Sequence, residues 1–142
     1  MQEYIDFAAN HTLLTMAWLG LAGAVIYMSV MSKLTKVTVV GSQQAVMLIN
    51  KQDAVVVDIR SAEEFRKGHI AGAINVPNTQ LKANNLNLIE KYKGSPVVLV
   101  CDTGMTSSAA GRVLSKAGFT QVYTLRGGLS DWRSQNLPIT KR

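Results

Sequence analysis

Residues 13–31 contain no Asp, Glu, Lys or Arg, and this run decides how much of the chain is left to build a water-soluble core. As an α-helix it covers about 28 Å, close to the hydrocarbon thickness of a bilayer. A cleaved signal peptide would open on a basic segment and end on small residues before a cut; this chain opens with Glu3 and Asp6 instead. The run is therefore read as one retained transmembrane helix rather than a signal peptide or a buried core helix. That reading makes residues 1–32 a membrane anchor and residues 33–142 a separate domain of ordinary single-domain size. Lys33 and Lys36 follow the run and no Lys or Arg precedes it, so the positive-inside rule places the carboxy-terminal part in the cytoplasm. Gly20 and Ala24 form a small-x-x-x-small pair that permits close approach of another helix.

All fifteen basic residues lie after the run, against seven of the nine acids, so the soluble part carries a net +8. A basic domain on a short tether is attracted to anionic membrane lipid. Its cations are scattered, with no arginine-rich run and no aromatic interleaving, and nucleic acid is not an expected partner. The single cysteine, Cys101, excludes an intrachain disulfide and suits a reducing compartment.

The soluble part alternates strand and helix signals without an internal repeat. Residues 32–36 read as a linker, 37–40 as a strand, and Ser42 as the cap of a helix over 43–50. Residues 54–58 form an apolar run of the kind buried on both faces of a parallel sheet. Ser61 with Glu64 is a capping box opening a helix that stops at Gly68. A strand over 73–76 ends at Pro77, and residues 78–92 are polar with one or two short helices. Strands over 97–100 and 122–125 flank a helix over 107–117, and a last helix spans 129–134. This rhythm predicts an α/β fold, a parallel sheet flanked by helices on both faces, preceded by the transmembrane helix.

Cys101 ends the most apolar of these strands, just before a polar turn and a helix start. In open α/β sheets ligands gather at this end of the strands. A helix amino terminus supplies unpaired amides and a positive dipole that favour thiolate over thiol. The competing reading is a small apolar residue packed at a strand end. Gly104 allows a tight turn, and Thr106 and Ser107 add hydroxyl donors.

Val57-Asp58-Ile59-Arg60, Glu64-Phe65 and the stretch from Gly68-His69-Ile70 to Asn75-Val76-Pro77 resemble the signature of the rhodanese domain. Leu125-Arg126-Gly127-Gly128 through Asp131-Trp132 resembles its carboxy-terminal mark, and Cys101-x-x-Gly104-x-Thr106 stands where that family has its active-site loop. The resemblance implies a sulfurtransferase. Cys101 would take sulfane sulfur from a donor, hold it as a persulfide, and pass it to a thiophilic acceptor, a small molecule or a protein, with no metal or other cofactor. It further implies a substrate-binding loop of Asp102, Thr103, Gly104, Met105, Thr106 and Ser107. The membrane-anchored form is similar to a small group of bacterial inner-membrane, single-pass members.

Read from the residues, Asp58 and Arg60 fix strand-end geometry by hydrogen bonding rather than acting in catalysis, because charges there must be paired. His69 reads as a satisfied structural histidine, Gly127 and Gly128 as the close approach of the last loop to the pocket, and Trp132 as core. The phosphatases and arsenate reductases of this fold resemble a loop with five residues between Cys and Arg. Here the Arg position is Ser107, which disfavours a phosphate dianion. Asp102, directly after the nucleophile, repels anionic donors such as thiosulfate and disfavours the thiolate. The alternative function is a non-catalytic binding module that engages an inner-membrane protein complex, such as an insertion or translocation machine.

Overall fold

The computed structural model describes residues 1–34 and 36–141, with side chains omitted for residues 31–34. The chain divides into two compact units, the first being Met1–Leu34. In that unit α1 (Gln2–Asn10) and α2 (Thr12–Leu34) are separated at His11. The His11 backbone leaves helical values (φ −126°, ψ 50°) while its amide donates to the Phe7 carbonyl. Its own carbonyl accepts from the Thr15 amide at 3.0 Å and the Thr15 hydroxyl at 3.1 Å, starting α2. Thr12–Val30 is long and apolar enough to cross a bilayer and none of it is buried within the protein. The helix continues to Leu34, past the point where the linker was expected, because nothing in residues 32–34 breaks a helix. The side chain of Lys33 and residue Thr35 lie outside the described residues.

The second unit follows the expected rhythm. Its elements are β1 (Val37–Val40), α3 (Ser42–Gln52), β2 (Val55–Asp58), α4 (Ala62–Lys67), β3 (His69–Ile70), β4 (Ile74–Asn75), α5 (Asn78–Lys82), a 3₁₀ turn (Glu90–Tyr92), β5 (Pro96–Val100), α6 (Ser107–Lys116), β6 (Gln121–Leu125), α7 (Gly128–Ser134) and β7 (Ile139–Thr140). Five strands form one sheet in the order β1-β6-β5-β2-β4, every neighbouring pair parallel. β3 and β7 pair separately as a short antiparallel ribbon. Two residues per strand are too few to show a period of two, which is why that ribbon leaves no trace in the sequence.

β5 is central and all five of its residues are buried. Alternation sends Val97 and Leu99 into one layer with Leu81, Ile89 and Leu114, and Val98 and Val100 into the other with Leu48, Leu129 and Trp132. Cys101 continues the first layer. The α4 capping box is formed, the Ser61 hydroxyl accepting from the Glu64 amide at 3.3 Å. Ser42 is not the cap of α3. Gly41 takes that position, its amide donating to the Gln44 side chain at 3.3 Å, and the Ser42 hydroxyl donates to Asp131 at 2.9 Å. A partner remote in sequence has captured the capping side chain.

Candidate active site

β5 delivers Cys101 to the carboxyl end of the sheet, where only 4% of the residue is exposed. The loop from Asp102 to Thr106 folds over it, and the Gly104 amide donates to Sγ at 2.9 Å. Gly104 sits at φ +86°, and a Cβ there would stand 3.1 Å from the Gly127 nitrogen and 3.2 Å from the Leu125 carbonyl. Both the left-handed backbone and the lack of space call for glycine. α6 begins at Ser107 with Thr106 at its cap position, so the helix amides open toward the sulfur. The Ser107 hydroxyl, fully buried, donates to the Gly104 carbonyl at 3.0 Å and holds the turn.

Burial pushes the Cys101 thiol up, and the Thr106 hydroxyl, the Thr106 and Ser107 amides and the Ser107 hydroxyl push it down, to a net value below that of an ordinary thiol. Because the Ser107 proton is committed to the Gly104 carbonyl, we assign the stabilisation to Thr106 and the amides. A second wall comes from α7. The Leu129 amide donates to the Cys101 carbonyl at 2.8 Å and the Ser130 amide to the Asp102 carbonyl at 3.1 Å. The approach is so close that a Cβ on Gly128 would lie 2.2 Å from the Cys101 carbonyl oxygen.

A buried polar network supports the loop from the other side. Arg60 contacts both oxygens of Asp58, with Nη2 at 2.7 Å and Nε at 3.0 Å, and Nη2 also donates to the Gly68 carbonyl at 2.8 Å. Its Nη1 reaches Asp102 at 3.5 Å. Burial works against the Arg60 charge, and hydrogen bonding and attraction to Asp58 outweigh it, with Asp102 and Glu64 adding to the same direction. The Glu64 carboxyl, pushed up by its small burial, is held below the usual range by the Ser61 amide and hydroxyl and by Arg60. Among the described residues no three His, Cys, Asp or Glu side chains gather as a metal-binding set.

A family profile described as the rhodanese-like domain matches residues 42–135 of this chain. The chain belongs to the rhodanese-like domain family. It is 44% identical over 141 residues to the uncharacterized protein YibN of Escherichia coli K12, covering 99% of both chains. It is 37% identical over 93 residues to the thiosulfate sulfurtransferase GlpE of Shewanella oneidensis, covering 66% of this chain and 89% of GlpE. The crystal structure of a rhodanese-related protein from Thermoplasma volcanium aligns with a TM-score of 0.63 at 26% identity, over 74% of this chain and 99% of that one.

In this rhodanese-like domain the expected loop residues surround Cys101 in three different ways. Gly104, Thr106 and Ser107 face the sulfur or brace the turn. Thr103 and Met105 are exposed, Met105 by 84%. Asp102 turns its half-exposed side chain to Arg60. Asp58 and Arg60 lie beneath the loop, hydrogen-bonded to each other. His69 is stacked on Phe65 with ring centroids 3.7 Å apart, and Nδ1 meets the Phe65 carbonyl at 2.7 Å, the satisfied histidine the sequence implies. The link from Arg60 to Asp102, and the approach of Glu64 to both, were not read from the sequence. Capping accounted for Glu64 and strand-end pairing for Arg60, so neither residue signalled a further partner.

Proposed function

We propose that this chain is a membrane-tethered sulfurtransferase that carries sulfane sulfur as a persulfide on Cys101. The observation that carries the reading is the Gly104 amide aimed at Sγ, in a loop whose donors lower the thiol pKa against the effect of burial. The thiolate attacks the outer sulfur of a donor such as thiosulfate, and that sulfur's bond to the rest of the donor breaks. The leaving group, sulfite in that case, departs with the bonding pair. The new Cys101–S–S⁻ is an anion held by the same amides. An acceptor nucleophile then takes the terminal sulfur, and the Cys101 thiolate is regenerated with no net redox change in the protein. Phosphoryl transfer is disfavoured, since Ser107 stands where that chemistry places a bidentate guanidinium.

α2 carries the anchor, and the rhodanese-like domain follows it. The cytoplasmic side of a bacterial inner membrane suits the lone thiol and the lysines that follow the span. The uncharged, unburied Thr12–Val30 stretch supports this reading. Mass spectrometry of the full chain in detergent, after incubation with thiosulfate or an alkyl persulfide, tests the chemistry. Gain of one sulfur atom on the native chain and none on Cys101→Ser is expected. A labile sulfur on the Ser variant, or none on the native chain with either donor, would refute it. A reporter fused after Arg142 should behave as cytoplasmic, and periplasmic activity would reverse the orientation.

A further inference from the structure

The parallel sheet gathers lysines at one end of the second unit. Register aligns Val37 with Val122, Val122 with Val97 and Val97 with Val55, so the residues leading into these strands share one end. Lys36 precedes β1, Asp53 precedes β2 and Lys93 precedes β5. The elements returning to that end close on lysines too: α3 with Lys51, the 3₁₀ turn with Lys91, and α6 with Lys116. Two of these loops are tied together, the Thr120 amide and hydroxyl both donating to the Lys93 carbonyl. This end therefore presents five lysines against Asp53 and Glu90, and Glu90 is paired to Lys93 at 3.6 Å. The other five acids that follow the apolar run, Asp58, Glu63, Glu64, Asp102 and Asp131, lie on elements at the opposite end with Cys101, where Arg60, Arg66, Lys67, Arg126 and Arg133 offset them.

We infer that the lysine-bearing, strand-amino end of the domain is a docking face for anionic lipid headgroups, which leaves Cys101 facing the aqueous phase. The inference rests on α2 being a membrane span. Only Thr35 and Lys36 separate the last residue of α2 from the first of β1, so the chain enters the domain at this same end. Lys36, Lys51, Lys91 and Lys116 are exposed and can approach phosphate groups within the screening length of about 10 Å, and Lys93, 41% exposed, shares its charge with Glu90 at 3.6 Å. β5 spans about 16 Å from this end to the nucleophile, long enough to keep a charged sulfur donor clear of an anionic surface. An acidic protein surface offers the same lysines a partner, but the short connection to the span favours lipid.

The test uses the full chain in nanodiscs of phosphatidylcholine alone or mixed with phosphatidylglycerol, with lysine acetylation rates read by mass spectrometry. Phosphatidylglycerol should slow labelling of Lys51, Lys91, Lys93 and Lys116 by at least about threefold relative to Lys67, which lies outside this face, and added salt should abolish the difference. Lys51→Glu combined with Lys116→Glu should remove the protection of Lys91 and Lys93 and leave sulfur loading of Cys101 in detergent unchanged. Equal labelling in both lipids, with the chain retained in the bilayer, would overturn the docking face alone. Protection of the same lysines in phosphatidylcholine by an acidic protein partner, without any lipid effect, would overturn it in favour of that partner. Release of the chain from membranes by alkaline carbonate would overturn the span and this inference with it.

Discussion

Replacing Asp102 by Asn removes a carboxylate one residue from Cys101 with little change in size, and its effect on the donor choice of the proposed reaction can be worked out. Charged groups on adjacent residues stand about 7 Å apart, where two unit charges interact by about 0.6 kcal/mol in water and about 2.4 kcal/mol at an effective dielectric of 20. The Asp102 side chain is 52% exposed and lies 3.5 Å from Arg60, so the water-like figure applies. Thiosulfate carries two charges, making the repulsion about 1.2 kcal/mol, or about sevenfold in kcat/KM. A monoanionic alkyl persulfide should gain only about threefold. The assay is sulfur transfer to cyanide by the full chain in detergent, with each donor at low and high salt. Relief of repulsion on the thiolate itself raises both donors equally, so the ratio of gains isolates selection against the donor's charge. Equal gains would mean that Asp102 acts on the nucleophile alone. No gain at low salt would mean that Arg60 already cancels the carboxylate, and the electrostatic account of donor choice would fail.

Thr106→Val should move the pH of half-maximal Cys101 alkylation upward, because the Thr106 hydroxyl is the largest of the contributions that lower this thiol. A thiol depressed in the folded state adds stability above its unfolded pKa and loses it as pH falls through the folded value. The denaturant midpoint of the native chain should therefore gain on that of Cys101→Ser as pH rises from neutral toward 9, as chemical denaturation at several pH values would show. Gly128→Ala forces a Cβ to within 2.2 Å of the Cys101 carbonyl oxygen. It should lower stability by roughly 1–3 kcal/mol or more and slow sulfur loading, since α7 and the loop must separate. Leu99→Ala, at a fully buried site in the central strand, should cost roughly 2–5 kcal/mol in denaturant unfolding with the alkylation pH profile unchanged.

The parallel sheet was legible because its strands announce themselves by composition. Val56 to Asp58 and Val97 to Val100 are buried on both faces, and only apolar, β-branched runs tolerate that. The placement of Cys101 followed from the same rule, since the strand stops where the apolar run stops. What stayed hidden depends on contacts between residues far apart in the chain. Ser42 has the chemistry of a cap, and Asp131, 89 residues away, decides otherwise. β3 and β7 are defined by their pairing alone. Asp102 read as a bare charge because Arg60, 42 residues earlier, enters the loop only once β2 and β5 are neighbours in the sheet.

That last contact explains why an ion pair sits at the end of a buried strand. The side chains of Asp58 and Arg60 are 1% and 4% exposed, and desolvation makes such a pair a poor source of stability compared with apolar packing. A hydrophobic replacement would nevertheless leave the Gly68 carbonyl, which Arg60 satisfies at 2.8 Å, without its donor in a buried place. The Asp58 carboxylate also accepts the Arg60 amide at 3.0 Å, fixing the turn that leaves β2. Asn75 completes the turn by donating to the Asp58 and Arg60 carbonyls at 3.1 and 3.0 Å. One guanidinium thus joins the end of β2, the start of β3 and the loop that follows β5. Its planar fork, with several donors at fixed angles, suits that task in a way the single ammonium of lysine does not. The pair costs desolvation and fixes position, and what it positions is the loop that carries Cys101.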